Sequence, residues 1–446
     1  MSQADWDRLQ YYSRRVKAFN IMYNDYDPQV HPSTYVRIAE LQSSAGVFFP
    51  SLRRLHCYLE DRSISHIFLF QSPLLDSLTL TNIGGFEDTV VGPFLATLSS
   101  SPQMLTRIVL DSGRMSMEIF KKSIIHFKQL QFLSVEVFMI DFSLWEVLGT
   151  LPSLKTFTLK ANDPESHPAH APENSNSQSG PRYFAVLEDL NVTGSIFLIQ
   201  HLLNFIDSPF LKSIGVYPLI NRVHNDSERE DELGDVLTPF MTIVATKWSQ
   251  SLTDLTISSN PMARAIGFVH RNSKFLTLLT DLHEIRGFHL LGCTTENNDD
   301  AARCMAKSWP KLRSLALGVL RLPRNQTFVS LSTLRIIADN CPELHYLHIP
   351  LDISIIPPFD DFSTKNSPRH NLEFLGLGGP GGPGGGPPPD DTMLECQIQV
   401  ARHLDFMFPY LKTINVHNEK WTTIRDLVKF CQDIRRIASE YDSDSE

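Results

Sequence analysis

Sixteen histidines and six cysteines are the residues of this chain best able to bind a metal or act as nucleophiles, and their spacing argues against both roles. The cysteines stand at 57, 293, 304, 341, 396 and 431 and form no C-x-x-C pair. That spacing suits neither a Cys-rich zinc module nor a disulfide scaffold, and it implies a reducing compartment, cytoplasm or nucleus. Cys293 and Cys304 read as core residues, because a free cysteine behaves as a small apolar side chain. His345 and His348 are three apart, which in a strand sends them to opposite faces and prevents them sharing an ion. The phrase GLGGPG, from Gly376 to Gly381, fits the phosphate-cradling G-x-G-x-x-G pattern. That chemistry needs a helix N-terminus next, and the following GPGGGPPP cannot open one. G-x-S-x-G, a Walker loop and H-E-x-x-H do not occur. The sequence therefore assigns no catalytic, cofactor-binding or metal-binding residue and reads as a non-enzyme.

Charge and hydropathy narrow the partners. Forty basic against fifty acidic residues give a formal charge of −10, opposite in sign to a phosphate-neutralising surface, so no nucleic acid is expected. No run of 18 apolar residues exists to span a membrane, and the opening MSQADWDRLQYY has neither the basic nor the apolar region of a signal peptide. Without that signal the N-x-S/T phrases at Asn191, Asn225 and Asn325 read as chance matches.

The elements that would position any functional side chain come from self-similarity. The phrase L-x-x-L-x-L, with other large aliphatics or Phe allowed, begins at Leu52, Leu75, Leu105, Leu130, Leu154, Leu187, Leu211, Leu252, Ile285, Leu312, Leu344, Leu372 and Leu411. A weaker copy starts at Val16. Neighbouring clear copies lie 23 to 41 residues apart, a pitch close to that of leucine-rich repeats. Positions 4 and 6 of the phrase share one face of a strand, and position 1 enters the same core from the preceding turn. Between copies the period becomes helical: Phe120, Ile124 and Phe127; Met305 and Trp309; Trp421, Ile424, Leu427, Val428, Cys431 and Ile434. One strand–turn–helix unit cannot bury its own apolar face, whereas a stack can. The expected fold is an α/β leucine-rich-repeat solenoid of ribonuclease-inhibitor type. At least eleven parallel strands would line the concave face, with helices on the convex face. Asn162, Asn260 and Cys293 occupy the position where such repeats often bond the turn backbone.

The expected organisation is a capping helix at 1–15, the degenerate solenoid over 16–420, a second capping helix at 421–438 and an acidic disordered tail at 439–446. Three stretches poor in apolar residues, 161–182, 221–235 and 378–391, read as disordered inserts. What remains for function is the concave surface, formed by positions 3, 5 and 7 of each strand. These include Arg54, His56, Tyr58, Arg107, Asp111, Asp189, Asn191, Asp254 and Thr256. The richest stretch in aromatic and imidazole groups is His289, Tyr346, His348, Phe374 and His417, which we take as the candidate protein-binding residues.

The units PSLRRL, SPLLDSL, PSLKTF, PKLRSL, CPELHYL and PYLKTI resemble those of F-box/leucine-rich-repeat proteins. The opening DWDRLQYYSRRVKAF followed by PSLRRLHC is similar to the segment after the F-box in the large fungal set of that family. The likeness covers roughly 5–435. It implies the substrate-recognition part of an SCF-type ubiquitin ligase, with repeats that bind the target protein on the concave face. The family's F-box, which binds a Skp1-type adaptor, has no counterpart ahead of the first strand near Val16, so adaptor binding is expected only if an F-box exists upstream. The alternatives are a repeat-only scaffold unconnected to ubiquitination and an enzyme with an unrecognised concave pocket.

Overall fold

The computed structural model describes residues 2–21, 32–42, 46–59, 64–83, 88–100, 104–112, 117–137, 140–161, 183–219, 237–258, 268–270, 274–291, 293–295, 298–318, 329–353, 355–358, 370–377, 393–416 and 419–443. The chain forms two compact units, Met1–Leu211 and Lys212–Glu446. In the first, strands Ala18–Ile21, Arg54–Tyr58, Ser77–Ile83, Arg107–Ser112, Phe132–Val137, Thr156–Ala161 and Asp189–Gly194 pair in parallel, each with the next in the chain. In the second the same order holds for Ser213–Pro218, Asp254–Ser258, Gly287–Leu291, Ser314–Gly318, Tyr346–Ile349, Phe374–Leu377 and Thr413–Val416. Helices connect most successive strands, as parallel pairing requires. Each unit thus carries seven main-sheet strands, against at least eleven expected for the whole chain. The fold is an α/β leucine-rich-repeat solenoid.

The repeat phrase explains this arrangement residue by residue. All thirteen first positions, from Leu52 to Leu411, are buried. Fourth positions stand opposite one another with no shift. Leu55, Leu78, Ile108, Leu133, Phe157 and Leu190 run as one row in the first unit. Ile214, Leu255, Phe288, Leu315, Leu347, Leu375 and Ile414 run as another in the second. Every residue of both rows is buried. A slip of one residue would turn a whole row to solvent, so burial itself sets the register. The backbone adds a device that needs no particular side chain. Within each unit the second-position carbonyl accepts two N–H groups of the next repeat, as Arg53 O does from Asp76 N at 2.8 Å and Ser77 N at 3.0 Å. Arg313 O likewise accepts from His345 N at 2.9 Å and Tyr346 N at 3.1 Å.

Helical stripes close the other side. Phe120, Ile124, Phe127, Met305, Trp309, Trp421, Ile424 and Val428 are buried as their spacing predicts. The indole N–H of Trp309 donates to Leu279 O at 3.1 Å. At the start, helix Gln3–Ser13 is held by a capping box between Ser2 and Asp5, and Trp6 stacks on Phe48 at 5.9 Å.

Several expectations change. Ala161, the first residue of the expected insert 161–182, ends a strand and is buried; residues 162–182, 221–235 and 378–391 lie outside the described residues. Leu317 is half-buried, unlike its counterparts, because pairing with the next strand ends at Ala316–His348. Cys304 is exposed, since Ala301, Ala302 and Met305 take the inward face of its helix. Ile434 is also exposed, as it turns away from the face carrying Ile424 and Val428. The last helix runs from Glu419 to Ser443, past 438, with no Gly or Pro to stop it. Asn162 and Asn260 lie outside the described residues. In another repeat Asn82 makes a bond of this kind: its amide donates to Leu59 O at 2.9 Å from a left-handed backbone with φ 57°.

Candidate protein-binding surface

In the second unit, third and fifth positions of the strands point away from the buried rows, onto the open face of the sheet. In register, the third positions read Asp254, Gly287, Ser314, Tyr346, Phe374 and Thr413. The fifth positions read Thr256, His289, Ala316, His348, Gly376 and Asn415. Four of the five candidate residues therefore meet on one face. His417 lies outside the described residues.

Tyr346 and Phe374 are directly opposite on paired strands and stack with ring centres 4.5 Å apart and planes 5° apart. His289 sits 6.3 Å from the Tyr346 ring, tilted by 50°. Its Nε2 lies 2.7 Å from Ser314 Oγ, in a hydrogen bond whose donor depends on the tautomer. Burial holds the His289 pKa below the ordinary histidine value, with Asp254 acting weakly the other way. Burial also raises the Tyr346 phenol. Small residues let the imidazoles lie down. A Cβ on Gly376 would stand 2.7 Å from His348 Cδ2, so that ring rests on the Gly376 backbone. Ala316, between His289 and His348 in register, is buried. Gly287 has the same function for the Asp254 carboxylate, which leans into the space a Cβ would fill.

Asp254, His289 and Ser314 also place an acid, an imidazole and a hydroxyl on three successive strands. Acyl transfer would need a carboxylate orienting the imidazole and N–H donors for an oxyanion. Here Asp254 Oδ2 accepts from Thr253 Oγ1 at 2.7 Å. Ser314 N donates to Arg286 O at 2.9 Å, and Tyr346 N is committed to Arg313 O at 3.1 Å. The arrangement offers a hydrogen-bonded, half-buried surface without the donors of an oxyanion hole. Among the described residues no group of three His, Cys, Asp or Glu side chains is placed to hold a metal. None of the described helices is long and apolar enough to cross a membrane.

The open face of the first unit differs in kind. Its outward positions carry Arg54, Arg107, Asp111, Glu136, Lys160 and Asp189. The Arg107 guanidinium lies 3.6 Å from the centre of the Phe132 ring. Asp111, Glu136 and Lys160 are in register, and Lys160 Nζ is 3.5 Å from Glu136 Oε2. Burial, then Glu136, raises the Asp111 pKa. The sequence shows these charges but not the small residues that matter in the second unit. Gly287, Ser314, Ala316 and Gly376 gain meaning only once the strand register is known.

No family model matches this chain, and no curated protein matches it by sequence. Solved structures do resemble it in shape. An internalin, InlF, of Listeria monocytogenes str. 4b F2365 is 13% identical, with 92% of this chain and 89% of that chain covered and a TM-score of 0.41. The leucine-rich-repeat domain of APL1 is 10% identical, covering 91% of this chain and 93% of that chain at a TM-score of 0.36. TLR13, solved as a complex with ssRNA13, is 14% identical, covering 75% of this chain and 47% of that chain at 0.35. All three scores are below 0.5, and the assignment of the fold rests on the buried repeat rows and their register.

Proposed function

We propose that this chain is a non-catalytic protein-recognition module that captures a protein partner on the open, concave face of Lys212–Glu446. The observation that carries this reading is the half-exposed Tyr346–Phe374 stack, set beside His289 and His348 on a face with little formal charge. Aromatic side chains fixed by neighbours anchor protein interfaces at small entropic cost. Solenoids use such a face for binding because its outward positions have no packing duty. The likeness of the repeats to F-box/leucine-rich-repeat proteins makes the module the substrate-recognition part of an SCF-type ubiquitin ligase, acting in the cytoplasm or nucleus without a cofactor. Adaptor binding through Skp1 is proposed only for a form carrying an F-box ahead of the repeats. Proximity labelling in cells should give a partner set that is lost in a Tyr346→Ala/His348→Ala variant which keeps its circular dichroism. An unchanged set removes this face as the capture site. Partners captured but never ubiquitinated remove the ligase role and leave a scaffold.

A further inference from the structure

We infer that the open face of Lys212–Glu446 selects a partner segment bearing one Lys or Arg and one aromatic side chain, held about 10 Å apart, that is, two strand spacings. The inference rests on the reading that this face captures a protein, and it names the chemistry of what is captured. Among the described residues, Asp254 carries the one formal charge at the outward positions of the seven main-sheet strands. It makes no ion pair there, and its carboxylate accepts only from Thr253 Oγ1. Gly287 lets that carboxylate lean one strand toward Ser314, which leaves it two strand steps from Tyr346. Between them stands His289, kept neutral by burial and so no obstacle to an approaching cation. Two rim cations are already answered: Arg313 Nη2 is 2.9 Å from Glu343, and Lys412 Nζ is 2.8 Å from Glu373. Arg286, at the second position of the repeat next to that of Asp254, is exposed and makes no ion pair among the described residues. Among the described residues, an anionic segment would find no cation at the outward strand positions and would meet Asp254 there. In the first unit the Phe132 ring is already covered by Arg107, whereas Tyr346 and Phe374 stack on each other and stay half-exposed. A cationic group over Asp254 and an aromatic group on the Tyr346–Phe374 stack therefore complement the face at both ends.

The test is selection of phage-displayed random dodecapeptides on the immobilised full chain, followed by affinities against Asp254→Asn and Tyr346→Ala. Enriched peptides should pair a Lys or Arg with a Phe, Tyr or Trp. Asp254→Asn should weaken them about fivefold, as for an exposed ion pair. Tyr346→Ala should weaken them about thirtyfold, as for an interface anchor. Because Asp254 is exposed, its amide variant should remain folded even if Tyr346→Ala does not. Peptides that depend on Tyr346 but lack a basic residue, or ignore Asp254→Asn, overturn this inference and leave the capture face intact. Peptides indifferent to Tyr346→Ala, or no enrichment at all, overturn both.

Discussion

Replacing Leu255 by alanine removes a side chain that is 1% exposed, from inside the fourth-position row of the second unit. Its register neighbours are Ile214 and Phe288, both buried, so neither side can relax into solvent to fill the gap. The loss combines the transfer of the missing methyl and methylene groups with a cavity contribution, in total about 2–5 kcal/mol. Leu317 is the internal control. It occupies the sixth position of its repeat, but it is half-buried because the ladder beyond it ends at Ala316–His348. Leu317→Ala should therefore cost less than Leu255→Ala, since part of its surface is wet in both states. Urea unfolding followed by tryptophan fluorescence includes the signal of this unit, where Trp248 and Trp309 are fully buried, beside that of Trp145 in the first unit. The transition for Leu255→Ala should fall well below that of Leu317→Ala. Equal losses, or a larger loss for Leu317→Ala, would refute the claim that the repeat rows form the core.

Burial lowers the pKa of His201, His289, His370 and His403 from 6.5, so the unfolded chain takes up these protons first. Their stabilising contribution is complete above pH 6.5 and is lost as pH falls below it; unfolding free energy that stays flat between pH 7.5 and 5.5 would contradict this. Gly376→Ala puts a Cβ against His348, so the imidazole must swing off the backbone at a cost of about 1 kcal/mol. Imidazole NMR signals of His348 should shift while far-ultraviolet circular dichroism does not; an unmoved resonance would mean the ring does not rest there. Thiol labelling at pH 8 should modify exposed Cys304 quickly and spare Cys57 and Cys341, whose thiols burial pushes up to about 12, until the chain unfolds. Labelling Cys341 as fast as Cys304 would place it outside the core.

Much of this architecture was legible because the repeat phrase is a statement about burial. In all thirteen clear copies the structure buries positions 1 and 4, even where the repeat is as altered as Ile285–Phe288, whereas Val16 and Phe19 of the weaker copy are half-buried. Legibility failed where burial depends on what lies next door. Leu317 has the right letter at the right place, but pairing with its outer neighbour strand ends one residue before it, at Ala316–His348. Cys304 has a core-forming side chain on the solvent side of a helix whose alanines face inward. For the binding surface, the sequence identifies the large residues, His289, Tyr346, His348 and Phe374, because aromatic and imidazole groups at outward positions are conspicuous. It does not reveal that Tyr346 stacks flat on Phe374, or that Gly376 and Ala316 make room for the imidazoles, since both depend on the pairing of residues 27 to 32 apart. Asn82 escaped because it sits one place earlier in its repeat than the expected asparagines, in a left-handed turn that asparagine tolerates.

The central claim, capture of a protein by the open face of the second unit, is tested most directly by site-specific photocrosslinking. A benzoylphenylalanine placed at Phe374 keeps an aromatic ring on that face, and one at Leu394, exposed on helix Met393–Met407, samples a helix surface of the same unit. Irradiation in cells should give a discrete partner adduct from position 374 and none from 394. Adducts from 394 with none from 374 would contradict the account.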